Sequence, residues 1–322
     1  MKKLKIIFFL FGLFLLTSLI FRVGFKEIFG TLIQAKIQFL ILGLGIYLLL
    51  VATRALKWFL LLRATGVKIG YKEFLPFYFV NSLMGNITPF KSGEAVTPFL
   101  FKKYLKIPAG QGFSIVIFDR FFELMFFSFI LLGVLLYLIS GGSQNQEAAT
   151  LLQFALLAFI LLLLLFVLLM NPKISAKFLV LWKKFSFSAK GANFLEKELK
   201  VFYETLKGFQ NKDVADFMAL LTGLGWFLEF LAFYLVINSV LHIPFFQAVA
   251  SQTISMAATF VTFVPGGIGI GELGAVSVLR LFGYPLLLST AAVLAARIVL
   301  TGTVLLLGLL GSILVKERSE AK

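Results

Sequence analysis

Pro265-Gly266-Gly267-Ile268-Gly269-Ile270-Gly271-Glu272 interrupts an apolar stretch running from 247 to 282, and Pro89-Phe90-Lys91-Ser92-Gly93-Glu94 interrupts another from 74 to 101. Proline removes a backbone donor and clashes with the preceding turn, and glycine weakens a helix interior, so neither stretch reads as one continuous helix. Each reads as a helical hairpin bent at the link from Pro to Gly-Glu. The parallel extends downstream, because Arg120 lies 26 residues beyond Glu94 and Arg297 lies 25 beyond Glu272.

Outward from these two breaks lie six uninterrupted apolar runs, near 4–23, 37–56, 113–139, 151–170, 214–241 and 287–314. Each is close to the roughly 20 residues that a helix needs to cross the hydrocarbon core. Composition agrees: of 322 residues, 60% are hydrophobic and 14% charged, too little polar surface to cover a soluble core. The chain has no Cys and one His, His242, in an external loop. That excludes thiolate nucleophiles, Cys-ligated metals, disulfides and a histidine-rich metal centre, and no cofactor is expected. The net charge of +15 is spread between the apolar runs. It therefore suits membrane orientation and contact with anionic inner-leaflet lipids, and no nucleic-acid partner is expected.

The basic residues set an orientation. Lys2, Lys3 and Lys5 place the N-terminus in the cytoplasm, and Lys316, Arg318 and Lys322 place the C-terminus there. Arg63, Lys68 and Lys72, then Lys102, Lys103 and Lys106, then the lysines of 171–212 fall on the same side, whereas 140–150 carries neither Lys nor Arg and belongs outside. Six crossings satisfy this only if each hairpin enters and leaves on one face. The expected fold is all-α: a polytopic membrane protein with six full spans, two re-entrant or broken hairpins and an inverted-topology repeat. It forms a single integral membrane domain with halves of about 1–140 and about 150–315. Repeats of this kind let a midplane site open to either side. Within the cytoplasmic segment 171–212, Leu195, Leu199, Phe202, Leu206 and Phe209 recur at helical spacing, with Glu196, Lys197, Lys200, Glu204 and Lys207 opposite. This amphipathic helix lies on the inner leaflet, on neighbouring helices, or against a partner.

Glu94, Asp119, Arg120, Glu123, Glu229, Glu272 and Arg297 fall inside or at the edge of the apolar segments. A charge at a helix centre costs about 2.5–3.5 kcal/mol on insertion scales, so these groups are paired, neutralised or facing water. Arg120 and Glu123, three apart, can pair on one helix, either to brace packing or beside a substrate. Gly266, Gly267, Gly269 and Gly271 suit either a tight turn or a loop whose amides receive an anion. No Lys followed by Ser or Thr comes after them, so this is no Walker loop. Glu94 and Glu272 read as coupling carboxylates or hairpin braces, and Arg54, Lys57 and Arg63, beside Trp58, as anchors at the membrane surface.

Asn81 and Asn86 before Pro89, Gly93-Glu94, the Asp119-Arg120 to Glu123 cluster, Pro265 to Glu272, and Arg297 together resemble the flippase-like transmembrane domain of lysylphosphatidylglycerol synthases, the multiple peptide resistance factor family. The resemblance covers nearly the whole chain. It implies a multi-pass protein of the cell's inner membrane that moves a lipid or lipid-linked molecule between leaflets. On that reading Arg120, Arg297 and the glycines 266, 267, 269 and 271 bind the headgroup, while Glu94, Asp119, Glu123 and Glu272 gate or couple. Lys91, Thr97 and Gly271 stand where many members carry arginine, which argues against a strongly anionic headgroup. The family's aminoacyl transfer resides in a large soluble domain, and this chain ends soon after its last span, so lysyl transfer is not expected. The alternatives are an intramembrane lipid-modifying enzyme with Glu or Asp as base, or a membrane anchor for a partner protein. A homo-oligomer is compatible with either.

Overall fold

The computed structural model describes residues 2–140, 189–209, 211–262 and 264–320, with 157, 160, 161, 164 and 168 between them. These residues are helical, with no strand among them. The order is α1 (Lys2–Val23), α2 (Phe25–Ile33), α3 (Ile37–Ala64), α4 (Tyr71–Ile87), a 3₁₀ segment (Pro89–Val96), α5 (Thr97–Leu100) and α6 (Ala109–Ser140). Then come α7 (Ala189–Phe209), α8 (Lys212–Asn238), α9 (Phe245–Val261), a 3₁₀ turn (Pro265–Gly267), α10 (Ile270–Leu281), α11 (Leu286–Ala296), a π turn (Arg297–Thr301) and α12 (Gly302–Glu320).

Four continuous helices among the described residues are long and apolar enough to cross a membrane: Ile37–Ala64, Ala109–Ile139, Lys212–Asn238 and Leu286–Glu317. The first expected span is α1, which joins α2 in a pair bent by 81° at Gly24, whose φ of 100° suits glycine. The expected crossing at 151–170 and the loop at 140–150 lie outside the described residues, apart from the few positions named above. The protein is an all-α polytopic membrane protein.

Both interrupted stretches break where the Pro and Gly-Glu spacing predicts. Each turn begins at a proline, Pro89 or Pro265, in 3₁₀ geometry, and the residue before Pro265, Val264, is extended because a following ring disfavours the helical region. In the second hairpin α9 and α10 lie side by side: Ser251 Oγ donates to the Ala275 carbonyl at 3.0 Å, and Gly274 packs on Ile254 and Ala258. At 12 residues α10 is only about 18 Å long, short of the roughly 30 Å hydrocarbon core. It returns instead of crossing.

Contacts divide the chain into two compact units. The first comprises Met1–Arg54, Leu75–Glu94 and Leu224–Lys322. Small residues bring its helices together, as expected where lipid supplies no hydrophobic drive. Gly43 of α3 meets Val236 and the Ala232 carbonyl of α8, Gly12 of α1 meets Val264 and Ile268 of the second hairpin, and Gly308 and Gly311 of α12 meet Leu83 and Phe79 of α4.

The second unit comprises Ala55–Phe74 and Ala95–Gly223. Here the amphipathic helix α7 runs along the start of α6. Gly110 packs on the Glu198 carbonyl, Ser114 Oγ donates to the Phe202 carbonyl at 2.9 Å, and the Phe118 and Phe209 rings lie 5.1 Å apart. Phe202, Leu206 and Phe209 are buried, so the apolar stripe is covered by the chain's own third span. Glu198 locks the pairing: Lys102 Nζ lies 2.5 Å from one carboxylate oxygen, and the Gly110 N–H donates to the other at 2.7 Å.

Two predictions follow from this packing. Gly43 and Gly45 lie two residues apart in α3, but a Cβ on Gly43 would sit 2.5 Å from Val236 Cγ2, whereas Gly45 has open space around it. Gly43→Leu should lower stability by about 1–3 kcal/mol, the usual cost of overpacking, while Gly45→Leu leaves it unchanged, as read by thermal unfolding in detergent. Burial pushes the Glu198 carboxyl up, but the hydrogen bonds from Lys102 and Gly110 and the lysine charges outweigh it and hold it below its ordinary value of 4.5. A carboxyl depressed in the folded state contributes stability above its unfolded value and loses it as pH falls through the folded one. A spin label at Lys200→Cys should therefore gain mobility on acidification below the ordinary glutamate range, and Glu198→Gln should leave the label mobile with little dependence on pH.

Candidate functional site

The second hairpin's tip is built around Glu272. Gly269, with φ of 81°, is the N-cap of α10 and lies against the Gly12 carbonyl, a position where a side chain would collide. Glu272, three residues on, accepts the Gly269 N–H at 2.7 Å, the returning half of a capping box. Its other oxygen lies 3.0 Å from Arg297 Nε. One carboxylate thus starts a helix and holds a guanidinium. Arg297 opens the π turn of the last span and also donates from Nη2 to the Gly266 carbonyl; such turns recur at functional sites. Glu272 is 2% exposed and Arg297 30%, so the acid is sealed while part of the arginine side chain stays exposed.

The expectation that the glycine amides stand free needs correcting. The Gly267 N–H donates to the Val264 carbonyl and the Gly269 N–H to Glu272. Those two amides are therefore already engaged within the turn. Gly266 contributes its carbonyl to Arg297, and Gly271 packs close to Ser255 and Thr259 of α9. The first hairpin touches this tip, since a side chain on Gly266 would begin 3.2 Å from the Asn86 carbonyl. In that hairpin Thr88 Oγ1 accepts the Gly93 N–H at 2.7 Å, and Glu94, buried, lies against Gly85 of α4.

Arg54 of α3 holds Glu229 of α8 at 2.9 Å, with its guanidinium 6.0 Å from the Trp226 ring centroid. Trp226 and Glu229, three apart, face the same neighbour. Tyr47, two turns before Arg54 on α3, is buried.

In the second unit Lys57, 1% exposed, lies 2.7 Å from Asp119 and 2.5 Å from Glu123, and its ammonium donates to Thr222 Oγ1 at 3.3 Å. Asp119 and Glu123 are four apart and share one face of α6; Asp119 also holds Arg120 Nη2 at 3.0 Å. The surface-anchor reading of Arg54 and Lys57 is thus overturned, because both are turned inward onto carboxylates. Arg63 at the helix end is exposed and lies over the Phe59 ring, as an anchor does. The signal for Lys57 was available: the apolar run continues past it through Phe59, Leu60, Leu61 and Leu62, and two carboxylates on one apolar face call for a cation from another helix.

Three arginines share one arrangement. Arg54, Arg120 and Arg297 are 18%, 28% and 30% exposed, while Glu229, Asp119 and Glu272 that hold them are 8%, 1% and 2% exposed. A guanidinium has five N–H donors in a planar fork and matches phosphate oxygens in pairs, so a fork braced from behind is ready-shaped for an oxyanion. Among the described residues no cluster of three or more His, Asp or Glu could hold a metal ion.

Fold and site together define a polytopic membrane protein with re-entrant hairpins and carboxylate-braced arginines inside its helices. Residues 4–308 match the family described as "Lysylphosphatidylglycerol synthase TM region", and the chain belongs to that family. It is 23% identical over 340 residues to "UPF0104 membrane protein MJ1595" of Methanocaldococcus jannaschii, covering 100% of this chain and 99% of the relative. It is 26% identical over 293 residues to "UPF0104 membrane protein PH1989" of Pyrococcus horikoshii, covering 84% of this chain and 85% of the relative.

Removing one partner of a buried ion pair strands the other, at a cost of about 3–5 kcal/mol. Lys57→Met should therefore destabilise the protein by that order. Adding Glu123→Met should recover part of the loss, since Asp119 keeps Arg120, and Arg63→Met should change little. Thermal unfolding of the purified variants checks the ranking.

Proposed function

We propose that the protein is a flippase-like transporter that moves a lipid or lipid-linked molecule between membrane leaflets. The observation that carries this reading is Arg297: a guanidinium inside a span, braced by a sealed carboxylate and a hairpin carbonyl, on a side chain still 30% exposed. Charge is placed in a span at considerable cost, and substrate passage is the use that repays it. Arg297 in the first unit and Arg120 in the second each offer donors to a headgroup phosphate. Glu272, Asp119 and Glu123 hold the cations and, with Glu94, gate or couple the movement. Asp119, Glu123, Glu229 and Glu272 are each committed to a cation, an arrangement that favours transport over lipid modification and over lysyl transfer. The basic ends Lys2 to Lys5 and Lys316 to Lys322 face the cytoplasm and meet anionic lipids of the inner membrane's inner leaflet, and the working form admits a homo-oligomer. The partner-anchor reading loses its surface, since α6 already covers the apolar stripe of α7.

Reconstitution tests the proposal. Vesicles containing the protein should move fluorescent phospholipids from one leaflet to the other faster than empty vesicles. Arg297→Gln should slow this about 10- to 100-fold, the worth of a charge-assisted hydrogen bond, with Arg297→Lys between the two. Rates equal to those of empty vesicles, across a panel of lipids and ion gradients, would remove the reading.

A further inference from the structure

Lys57 is a buried cation to which the transport reading gives no task. An ammonium has three N–H donors, and three oxygens surround this one: Asp119 at 2.7 Å, Glu123 at 2.5 Å and the Thr222 hydroxyl at 3.3 Å. All belong to the second unit, as does Arg120, which Asp119 holds at 3.0 Å. Facing the two carboxylates are thus Lys57 from α3, Arg120 from α6 itself and the Thr222 hydroxyl from α8. Where α7 meets α6 beside them it brings the Phe209 ring against Phe118. Two positive and two negative groups sum to zero. That balance suits a buried site, where an uncompensated charge is costly enough to change its protonation instead.

Exposure is unequal across the four. Lys57, Asp119 and Glu123 are 1%, 1% and 7% exposed, whereas Arg120 is 28% exposed, so Arg120 is the member that an oxyanion can engage. An anion on Arg120 takes up the guanidinium's charge and leaves the three sealed groups with a residual charge of minus one. Lys57 cannot supply the balance, since it is already an ammonium whose three N–H groups have three partners. A proton on one carboxylate can: H⁺ from solution adds to –COO⁻ and gives –COOH. Arg297 differs in this respect. Its partner Glu272 also accepts the Gly269 N–H at the start of α10, where the positive end of the helix supports a carboxylate. Asp119 and Glu123 lie in the interior of α6, away from such support.

We infer that Lys57, Asp119 and Glu123 form a proton-binding site, which takes up one proton when an oxyanion occupies Arg120 and returns it when the oxyanion leaves. This rests on the reading of Arg120 as a donor to phosphate, and it names the coupling ion of that reading. One phosphate charge then travels with one proton, so the loaded site is neutral and its movement answers to a pH gradient.

Calorimetry on the purified full chain in detergent tests it, with dihexanoylphosphatidylglycerol as the probe because its phosphodiester keeps one negative charge near neutral pH. Titrations in buffers of different protonation enthalpy give the number of protons taken up per lipid bound. The wild type should take up about one, and its Kd should rise about tenfold for each unit of pH increase. Arg120→Gln should abolish the uptake. Glu123→Gln should abolish it while binding persists, because Lys57 and Asp119 then balance without a proton. Lys57→Met combined with Glu123→Met removes one charge of each sign and should keep the uptake. Where a variant does not fold, the wild-type proton count and pH slope decide. No binding, binding without uptake, uptake that survives Arg120→Gln or Glu123→Gln, or uptake lost in the double variant would overturn the inference. Binding without uptake leaves the transport reading standing. Proton-linked binding by a protein that moves no lipid between the leaflets of vesicles keeps the proton site and removes the transport reading.

Discussion

A charge inside hydrocarbon has to be matched, and in this protein the matching decides which helices meet. Lipid tails are as apolar as Leu, so burying one apolar helix face against another gains little in a membrane, and association is left to close packing and polar contacts. Arg54 to Glu229 joins the first part of α3 to α8, Lys57 joins the rest of α3 to α6 through Asp119 and Glu123, and Arg297 to Glu272 joins the last span to the second hairpin. Each link runs between segments far apart in sequence. Glycines at 12, 43, 308 and 311 then allow the close approach of the first unit's helices.

Glu272 shows how local and long-range requirements converge on one side chain. A helix that begins inside a membrane protein presents unpaired N–H groups, and an acid at its third position satisfies one of them and suits the positive end of the helix. Proline before the turn ends the incoming helix, and glycine at 269 takes the left-handed backbone that lets the chain reverse against Gly12. The same carboxylate then reaches a cation on the last span. The first hairpin repeats the plan in part, with Pro89 opening its 3₁₀ segment and the buried Glu94 following Gly93.

Much of this was legible because it is written in short-range terms. Pro followed by Gly-Glu specifies a broken helix wherever it occurs in an apolar run, and a long apolar run specifies a crossing. Lys57 was legible only in part by the same rules. A lysine near Trp58 toward the end of an apolar helix has the composition of an interfacial anchor, and only the third dimension shows that its face turns to Asp119 and Glu123. The spacing of those two acids was visible, but the helix supplying their counter-ion was not. The glycine loop misled in a related way. Sequence counts its amides, whereas geometry shows that Val264 and Glu272 take two of them.

The bracing of the arginines has a consequence for the kind of ligand that the proposed transport reading admits. Each pair is neutral overall, so a passing headgroup is drawn by the directional donors of a preorganised fork and not by a large uncompensated charge. An isolated guanidinium in this setting would be costly to fold around, whereas one already sharing its charge with Glu272 or Asp119 would, on the proposed transport reading, hold a phosphate loosely enough to release it. Moving a substrate requires that compromise, since tight binding at any one position stalls passage. Thr97 and Gly271 point the same way, adding no positive charge at their positions. On the proposed reading, a phosphate within a lipid of modest net charge, recognised by geometry, fits this balance better than a highly anionic headgroup.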